Sequence, residues 1–302
     1  MSAKTRQKVE DAAAALGYSP NVLASSLTTG RTKLVGLISN NFTNPYFLEV
    51  FDRFTRQLQD AGLRTLLINL SEAKDADSTL RMLQQYSVDG VIVASSTLPV
   101  SFPAAFHRAG LPIVHAFGWS SGTPRSHLVS IDNVESGRIA ARSLLTRGYR
   151  DIAFLGGPEL AATTQDRLTG FIESAGDARI THSFATDYSY DAGRAEMQRL
   201  LQTGQRAEAY FCGDDVIAMG ALSAARDAGL RVPEDIGFLG LNDMAMAAWH
   251  QIDLTTIRQP LEQIVATTVA MIRNSIQHPE SPAQTQLFPC EIVERGTLRP
   301  VI

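Results

Sequence analysis

The sequence predicts an α/β protein of two doubly wound parallel-sheet lobes, preceded by a short helical segment. Three observations carry this. Short apolar, β-branched runs alternate with helix-length amphipathic segments, the pattern of parallel sheets covered on both faces. The alternation runs from about 34 to 132, then restarts at 151 and continues to 241. At 302 residues the chain also exceeds one ordinary core and suits two lobes.

Each element has a local reason. In "SAKTRQKVEDAAAALGY", Val9, Ala12, Ala13 and Leu16 share a helical face and Gly17 supplies the stop. "SPNVLASSL" (19–27) is a helix of about two turns, opened by Pro20 and Asn21, with little apolar surface to bury. "LVGLIS" is the first strand. Its following helix takes Asn44 as N-cap, Pro45 at the first position and Gly62 as terminator. Then come "RTLLINL", a helix near 75–86, "GVIVAS", a helix near 102–109, "PIVHAF", "LVSID" and a helix near 134–147. The second series is "DIAFLGG", a helix near 165–175, "THSFA", a helix near 190–203, "AEAYFCG", a helix near 215–228 and "IGFLGL". The tail "AQTQLFPCEIVERGTLRP" reads as a strand pair.

Composition excludes several classes. Apolar residues make up 44% and charged ones 19%, as in globular proteins. No apolar run is long enough to span a membrane, and the N-terminus has no signal-peptide pattern. Two cysteines without a CxxC motif fit a reduced, cytoplasmic setting. Residues 1–33 carry Lys4, Arg6, Lys8, Arg31 and Lys33 against Glu10 and Asp11, a net +3, which leaves −7 for the rest of a chain totalling −4. A basic arm on an acidic body suggests a polyanionic partner for the arm.

Dinucleotide and P-loop glycine motifs are absent, and the six histidines lack metal-ligand spacing, so no cofactor and no metal is expected. "GWSSG" (118–122) fits the nucleophile elbow G-x-S-x-G around Ser120. That elbow needs a strand, a turn and then a helix, whereas "TPRSHLVSID" follows here with proline, loop and strand. The chain is therefore not expected to be an enzyme.

Ligands of doubly wound sheets bind at the carboxyl ends of the strands. Those positions hold Asn40, Asn41, Tyr46 and Phe47 after the first strand, and Asp132 after "LVSID". The second series adds Arg167 near a helix start, Phe211 with Asp214 and Asp215, and Asn242 with Asp243. Rings to stack on, with carboxylates, amides and a guanidinium to bind edges, suit a polar, hydroxyl-rich small molecule. Each position also has a structural reading. Asp132, Asp215 and Asp243 fit as helix N-caps, Tyr46 and Phe47 as packing on their own helix, Arg167 as a partner of Asp166 or Glu173, and Phe211 as core. No base stands beside a nucleophile.

"SAKTRQKVEDAAAALGYSPNVLASSLTTGRT", "FCGDDVIAMGALSAARDAGLRVPEDIGFLGLND" and "LTTIRQP" closely resemble the lactose-repressor (LacI/GalR) family of bacterial transcription regulators, across essentially the whole chain. The resemblance implies a periplasmic-binding-protein-like core, a homodimer, and a small-molecule effector held between the lobes: a sugar, sugar acid or polyol, with a nucleobase or nucleoside, prompted by the two aromatic positions Tyr46 and Phe211, as the alternative. Asn40, Tyr46, Phe47, Asp132, Arg167, Phe211, Asp214 and Asn242 are the implied effector residues. It makes 19–27 the hinge helix, with Asn21, Ala24 and Leu27 on the DNA-contacting stretch and Leu27 as the apolar wedge in the minor groove. Residues 1–32 become a headpiece remnant, 33–149 with 260–281 the N-terminal lobe, and 150–259 with 282–302 the C-terminal lobe.

Two departures from the family pattern stand out. The family's helix-turn-helix, whose recognition helix enters the major groove, has no counterpart ahead of this segment, so operator DNA is expected as a partner of the intact protein only. The family also commonly places Asn where Asp214 stands and Asp where Asn242 stands. The exchange keeps the charge and moves it, which implies a retained polar site with altered hydroxyl recognition. A stand-alone sugar-binding protein of the same fold is the alternative; the hinge segment and the missing export signal weigh against it.

Overall fold

Two six-stranded sheets form the molecule, and both are wound the same way. The computed structural model describes residues 2–17, 30–70, 76–98, 101–118 and 126–301. In the first sheet, β1 (Leu34–Ser39), β2 (Arg64–Asn69), β3 (Gly90–Ala94), β4 (Ile113–Ala116) and β5 (His127–Ile131) lie in the order β2-β1-β3-β4-β5, all parallel. In the second, β6 (Asp151–Gly156), β7 (Arg179–Phe184), β8 (Ala209–Cys212), β9 (Gly237–Asn242) and β10 (Thr256–Arg258) repeat that order as β7-β6-β8-β9-β10. The strand order reverses beside β1 in one lobe and beside β6 in the other, the kind of switch point at which doubly wound sheets bind their ligands.

The α-helices among the described residues are α1 (Ala3–Ala15), α2 (Pro45–Asp60), α3 (Ala76–Gln85), α4 (Ser101–Arg108), α5 (Asn133–Leu145), α6 (Ala162–Glu173), α7 (Tyr190–Gln202), α8 (Asp215–Asp227) and α9 (Leu261–Gln277). α2 follows its capping signals: Asn44 accepts from the Tyr46 N–H, Pro45 occupies the first position, and Phe47, Val50, Phe51, Phe54 and Leu58 face the core. Val9 of α1 and Leu16, just beyond its end, are left exposed. α9 carries no place in the strand–helix alternation read from the sequence. It covers the first sheet, packing on α2, β3, β4 and β5 through Ile264, Val265, Val269 and Ile272.

Two corrections to the domain boundaries follow. The first crossover lies at 131–133, ahead of α5, and not at 149–150. α5 belongs to the second lobe because its backbone packs directly on α6: a Cβ on Gly170 would sit 1.8 Å from the Val134 carbonyl, and one on Gly137 2.1 Å from the Arg167 carbonyl. The crossover at 259–260 joins β10 to α9. The tail is not a strand pair within the second lobe. β11 (Thr285–Phe288) adds in parallel to β5 of the first sheet, and only β12 (Glu291–Val293) joins the second, antiparallel to β10. The third crossover is therefore 289–290. Nothing in 283–300 distinguishes one edge from the other, because each strand simply completes whichever open edge it reaches.

Asn21, Ala24, Leu27 and Ser120 lie outside the described residues.

Candidate effector site

The carboxyl ends of the two sheets face each other across a cleft bridged by side chains from both lobes. Asp214 is the N-cap of α8: its Oδ1 accepts from the Val216 N–H at 2.9 Å. Its Oδ2 accepts from the Asn242 amide of the same lobe at 2.9 Å and from the Asn44 amide of the opposite lobe at 3.0 Å. Asn44 is oriented by its own cap, since its oxygen takes the Tyr46 N–H. Asn242 is oriented by the amide of Gln259, on the crossover. A second cross-cleft bond runs from the Thr163 hydroxyl to the Ser96 carbonyl, 3.0 Å.

Arg167 is buried, donating from Nε to Asn133 (2.8 Å) and from Nη1 to the Gly213 carbonyl (2.6 Å). Neither Asp166 nor Glu173 pairs with it; Glu173 pairs with Arg138 instead. A guanidinium held by neutral acceptors keeps its charge for whatever enters the cleft. Tyr46, Phe47 and Phe117 make an edge-to-face cluster, with ring centroids 5.8–6.2 Å apart. These rings, Ser130, Asn133, Arg167, Tyr188, Asp214 and Asn242 enclose a cavity of about 20 Å³. That is room for a single water and not for a sugar.

Burial governs the electrostatics. Desolvation raises the Asp214 pKa to about 6, against the Val216 N–H, the Asn44 and Asn242 amides and Arg167, all of which favour the carboxylate. Asp215 is not an N-cap. It lies wholly buried behind the site, accepting from the Met244 N–H (2.8 Å) and the Thr256 hydroxyl (2.5 Å), and desolvation raises it to about 7. Asp243 is not a cap either; it pairs with Arg258 and Arg295, each at 2.6 Å.

Backbone strain concentrates here. Phe117, Asn242 and Asp243 have φ of +65°, +124° and +53°. Non-glycine residues in such conformations cost about 1–3 kcal/mol each and persist where the surroundings fix them. The Asn242–Gln259 bond and the Asp243 ion pairs are what hold the β9 end.

Of the sequence-predicted residues, the structure brings Tyr46, Phe47, Arg167, Asp214 and Asn242 together. Three do not line the cavity. Phe211 is wholly buried on the central strand β8, against Phe154 and Phe171 at 5.5 and 5.9 Å, because that strand is covered on both faces. Asp132 caps α5, accepting from the Glu135 N–H. Asn40 is exposed and bonded to Thr97 and Ser95. Sequence reasoning missed the cleft roles of Asn44, Phe117, Asn133, Tyr188 and Gln259. Asn44 signalled only its cap, and Gln259 lies on a crossover with no local signature. Among the described residues no cluster of His, Cys, Asp or Glu is arranged to hold a metal ion.

Comparisons with known proteins agree with this architecture. Residues 141–298 match the family model described as a periplasmic binding protein-like domain. The HTH-type transcriptional repressor PurR of Proteus mirabilis is 34% identical, covering 97% of this chain and 88% of that protein. The PurR of Edwardsiella ictaluri is 35% identical over 98% of this chain and 88% of its own length. The chain belongs to the LacI/GalR family. Among solved structures, the transcriptional regulator CelR in its cellobiose complex is similar to this LacI/GalR-family chain at a TM-score of 0.80 and 26% identity, covering 98% of this chain and 91% of the other. The lac repressor dimer bound to operator and the anti-inducer ONPF shares its fold at a TM-score of 0.86 and 24% identity, with 98% and 91% covered. As a LacI/GalR-family member the chain is a transcription regulator with an effector-binding domain, and not an enzyme.

Proposed function

We propose that this chain is the effector-binding and dimerisation core of a LacI-type regulator, and that its cleft takes a small polar metabolite: a sugar, sugar acid or polyol. One observation carries the reading. An arginine that is buried and, among the described residues, has no carboxylate ion-pair partner meets a buried carboxylate held by amides of both lobes beside three aromatic rings, in the crevice between the strand ends. Hydroxyls of an effector would take over the Asn44 and Asn242 bonds to Asp214, donating to the carboxylate and accepting from Arg167. The rings would cover its C–H face.

Opening or closing the lobes then moves their N-terminal faces, and with them the paired 19–27 hinge segments of a homodimer, changing affinity for operator DNA. Such couplings are about 1–3 kcal/mol. Support comes from the PurR relatives, which are repressors, and from CelR, a similar regulator solved with cellobiose.

The test is a thermal-shift screen of the chain against sugars, sugar acids, polyols and purines. A true effector at a hundred times its Kd stabilises by about 2.7 kcal/mol, a shift of several degrees. Arg167→Ala should abolish that shift. A shift that survives Arg167→Ala would move the site elsewhere, and a silent panel would reject the ligand class.

A further inference from the structure

A groove of about 380 Å³ opens on the second lobe, at the end of its sheet away from the cleft. Its size is that of a small-molecule site. Asp151 and Arg179, the first residues of β6 and β7, line it with Tyr210 of β8 and with Arg199 and Leu200 of α7. β7 is an edge strand, and its side chains alternate between the two faces of the sheet. Phe184 packs on Phe154 on the core side. Arg179, Thr181 and Ser183 fall on the other face, where Arg179 is in register with Asp151, and Thr181 with Ala153. Ala153, Thr181 and Ser183 are short, so the space between this face and α7 is left unfilled.

The donors along this wall outnumber their partners. Arg179 gives Nη1 to the Asp151 Oδ2 at 3.1 Å and leaves Nε and Nη2 unused. Arg199 is held by both oxygens of Glu196, at 2.9 and 2.6 Å. Arg206, on the loop between α7 and β8, makes no ion pair or hydrogen bond among the described residues. Asp235, whose charge also acts on Arg206, is already bidentate on Arg231 at 2.7 and 2.9 Å. The hydroxyls of Thr181 and Ser183 likewise bond to nothing among the described residues. Three guanidiniums against the carboxylates of Asp151 and Glu196 leave one positive charge uncompensated, so the groove attracts an anion. Free N–H groups and hydroxyls arriving from both β7 and the loop suit a phosphate, whose terminal oxygens accept from several sides, better than a planar carboxylate. Asp151 sets a second requirement. It only accepts, and its Oδ1 is buried without a partner. A bare anion would meet that carboxylate as like charge, whereas hydroxyls on the ligand would donate to it.

We propose that this groove is a second ligand site, separate from the cleft, for a small hydroxylated phosphate ester. The phosphate lies between Arg206 and Arg179 and accepts from the Thr181 and Ser183 hydroxyls. The ester's own hydroxyls face Asp151 and the Gln205 amide. The groove lies at the amino ends of β6, β7 and β8 and the cleft at their carboxyl ends, so ligands of the two do not compete for space. The proposal stands independently of what the cleft binds.

Calorimetric titration of the whole chain, in a buffer free of phosphate, compares glycerol 3-phosphate and ribose 5-phosphate with glycerol, ribose and inorganic phosphate. The expected result is an ester that binds about tenfold or more tighter than both its unphosphorylated counterpart and inorganic phosphate. Arg206→Gln removes an exposed guanidinium that has no hydrogen bond or ion pair to lose, so it should weaken that ester about tenfold and leave the melting temperature unchanged. Thr181→Phe, at an exposed edge-strand position where an aromatic residue is well tolerated, fills the groove and should weaken the ester as much. Esters that bind no tighter than their unphosphorylated counterparts, or no tighter than inorganic phosphate, overturn the proposal. Ester binding that either groove variant leaves unchanged also overturns it, by placing the ligand in the cleft or elsewhere.

Discussion

Replacing Asp214 by Asn probes the group on which both lobes converge. The carboxylate is 5% exposed and accepts three hydrogen bonds, from the Val216 N–H, Asn44 and Asn242. Burial raises its pKa from the ordinary 3.8 to about 6. An acid raised in the native state keeps its proton there after the unfolded chain has lost it. Its contribution is therefore most favourable below pH 3.8, declines as the pH rises towards 6, and stays low above that. At roughly 1.4 kcal/mol per tenfold change in proton affinity, the whole decline is about 3 kcal/mol, of which about 2 falls between pH 4 and pH 7. Asparagine has no such decline. It also cannot replace the carboxylate: its one oxygen serves the Val216 N–H, and its amide then faces two other amides that donate. Losing two hydrogen bonds to a charged group costs about 3 kcal/mol or more, which at pH 7 roughly offsets the relief of a buried charge. The variant should thus melt near the native temperature at pH 7 and several degrees below it at pH 4. Scanning calorimetry at half-unit steps measures this, and Asp215, present in both proteins, contributes to both curves. Parallel native and variant curves from pH 4 to pH 7 would refute the argument.

Phe211→Leu separates core from site: it should cost about 1–2 kcal/mol of stability in a denaturant titration and leave effector affinity within twofold. Lost affinity at unchanged stability would put that ring back in the cleft. Gly170→Ala places a methyl 1.8 Å from the Val134 carbonyl and should destabilise by about 3 kcal/mol or more; an unchanged denaturation midpoint would mean that α5 does not pack on α6 in this way.

How far the site was legible depends on what kind of signal each residue gives. Asp214 and Asn242 follow strand-length apolar runs directly, and Arg167 stands early in a helix that follows one, so the strand-end rule finds them. Asp214 and Asp215 are neighbours with opposite fates, and the sequence reading assigned the cap to the wrong one. The capping geometry selects Asp214, and the helical turn sends Asp215 inward to Met244 and Thr256. Phe211 satisfies the strand-end rule yet points into the core. In a strand covered on both faces, alternation does not mark which side faces the ligand.

The sequence by itself determined the alternation of strands and helices, the division into two similar windings, and the cap that starts α2. These depend on hydrophobic period and on side chains acting within a turn of themselves. Tertiary structure decided which lobe claims α5, which edges β11 and β12 complete, and that Asn44, Gln259 and Asp214 meet across the cleft. Those outcomes depend on contacts between residues as far apart as Asn44 and Asp214, 170 positions along the chain. Their energies come from close packing and from amide–carboxylate geometry, which exist only once both sheets are formed.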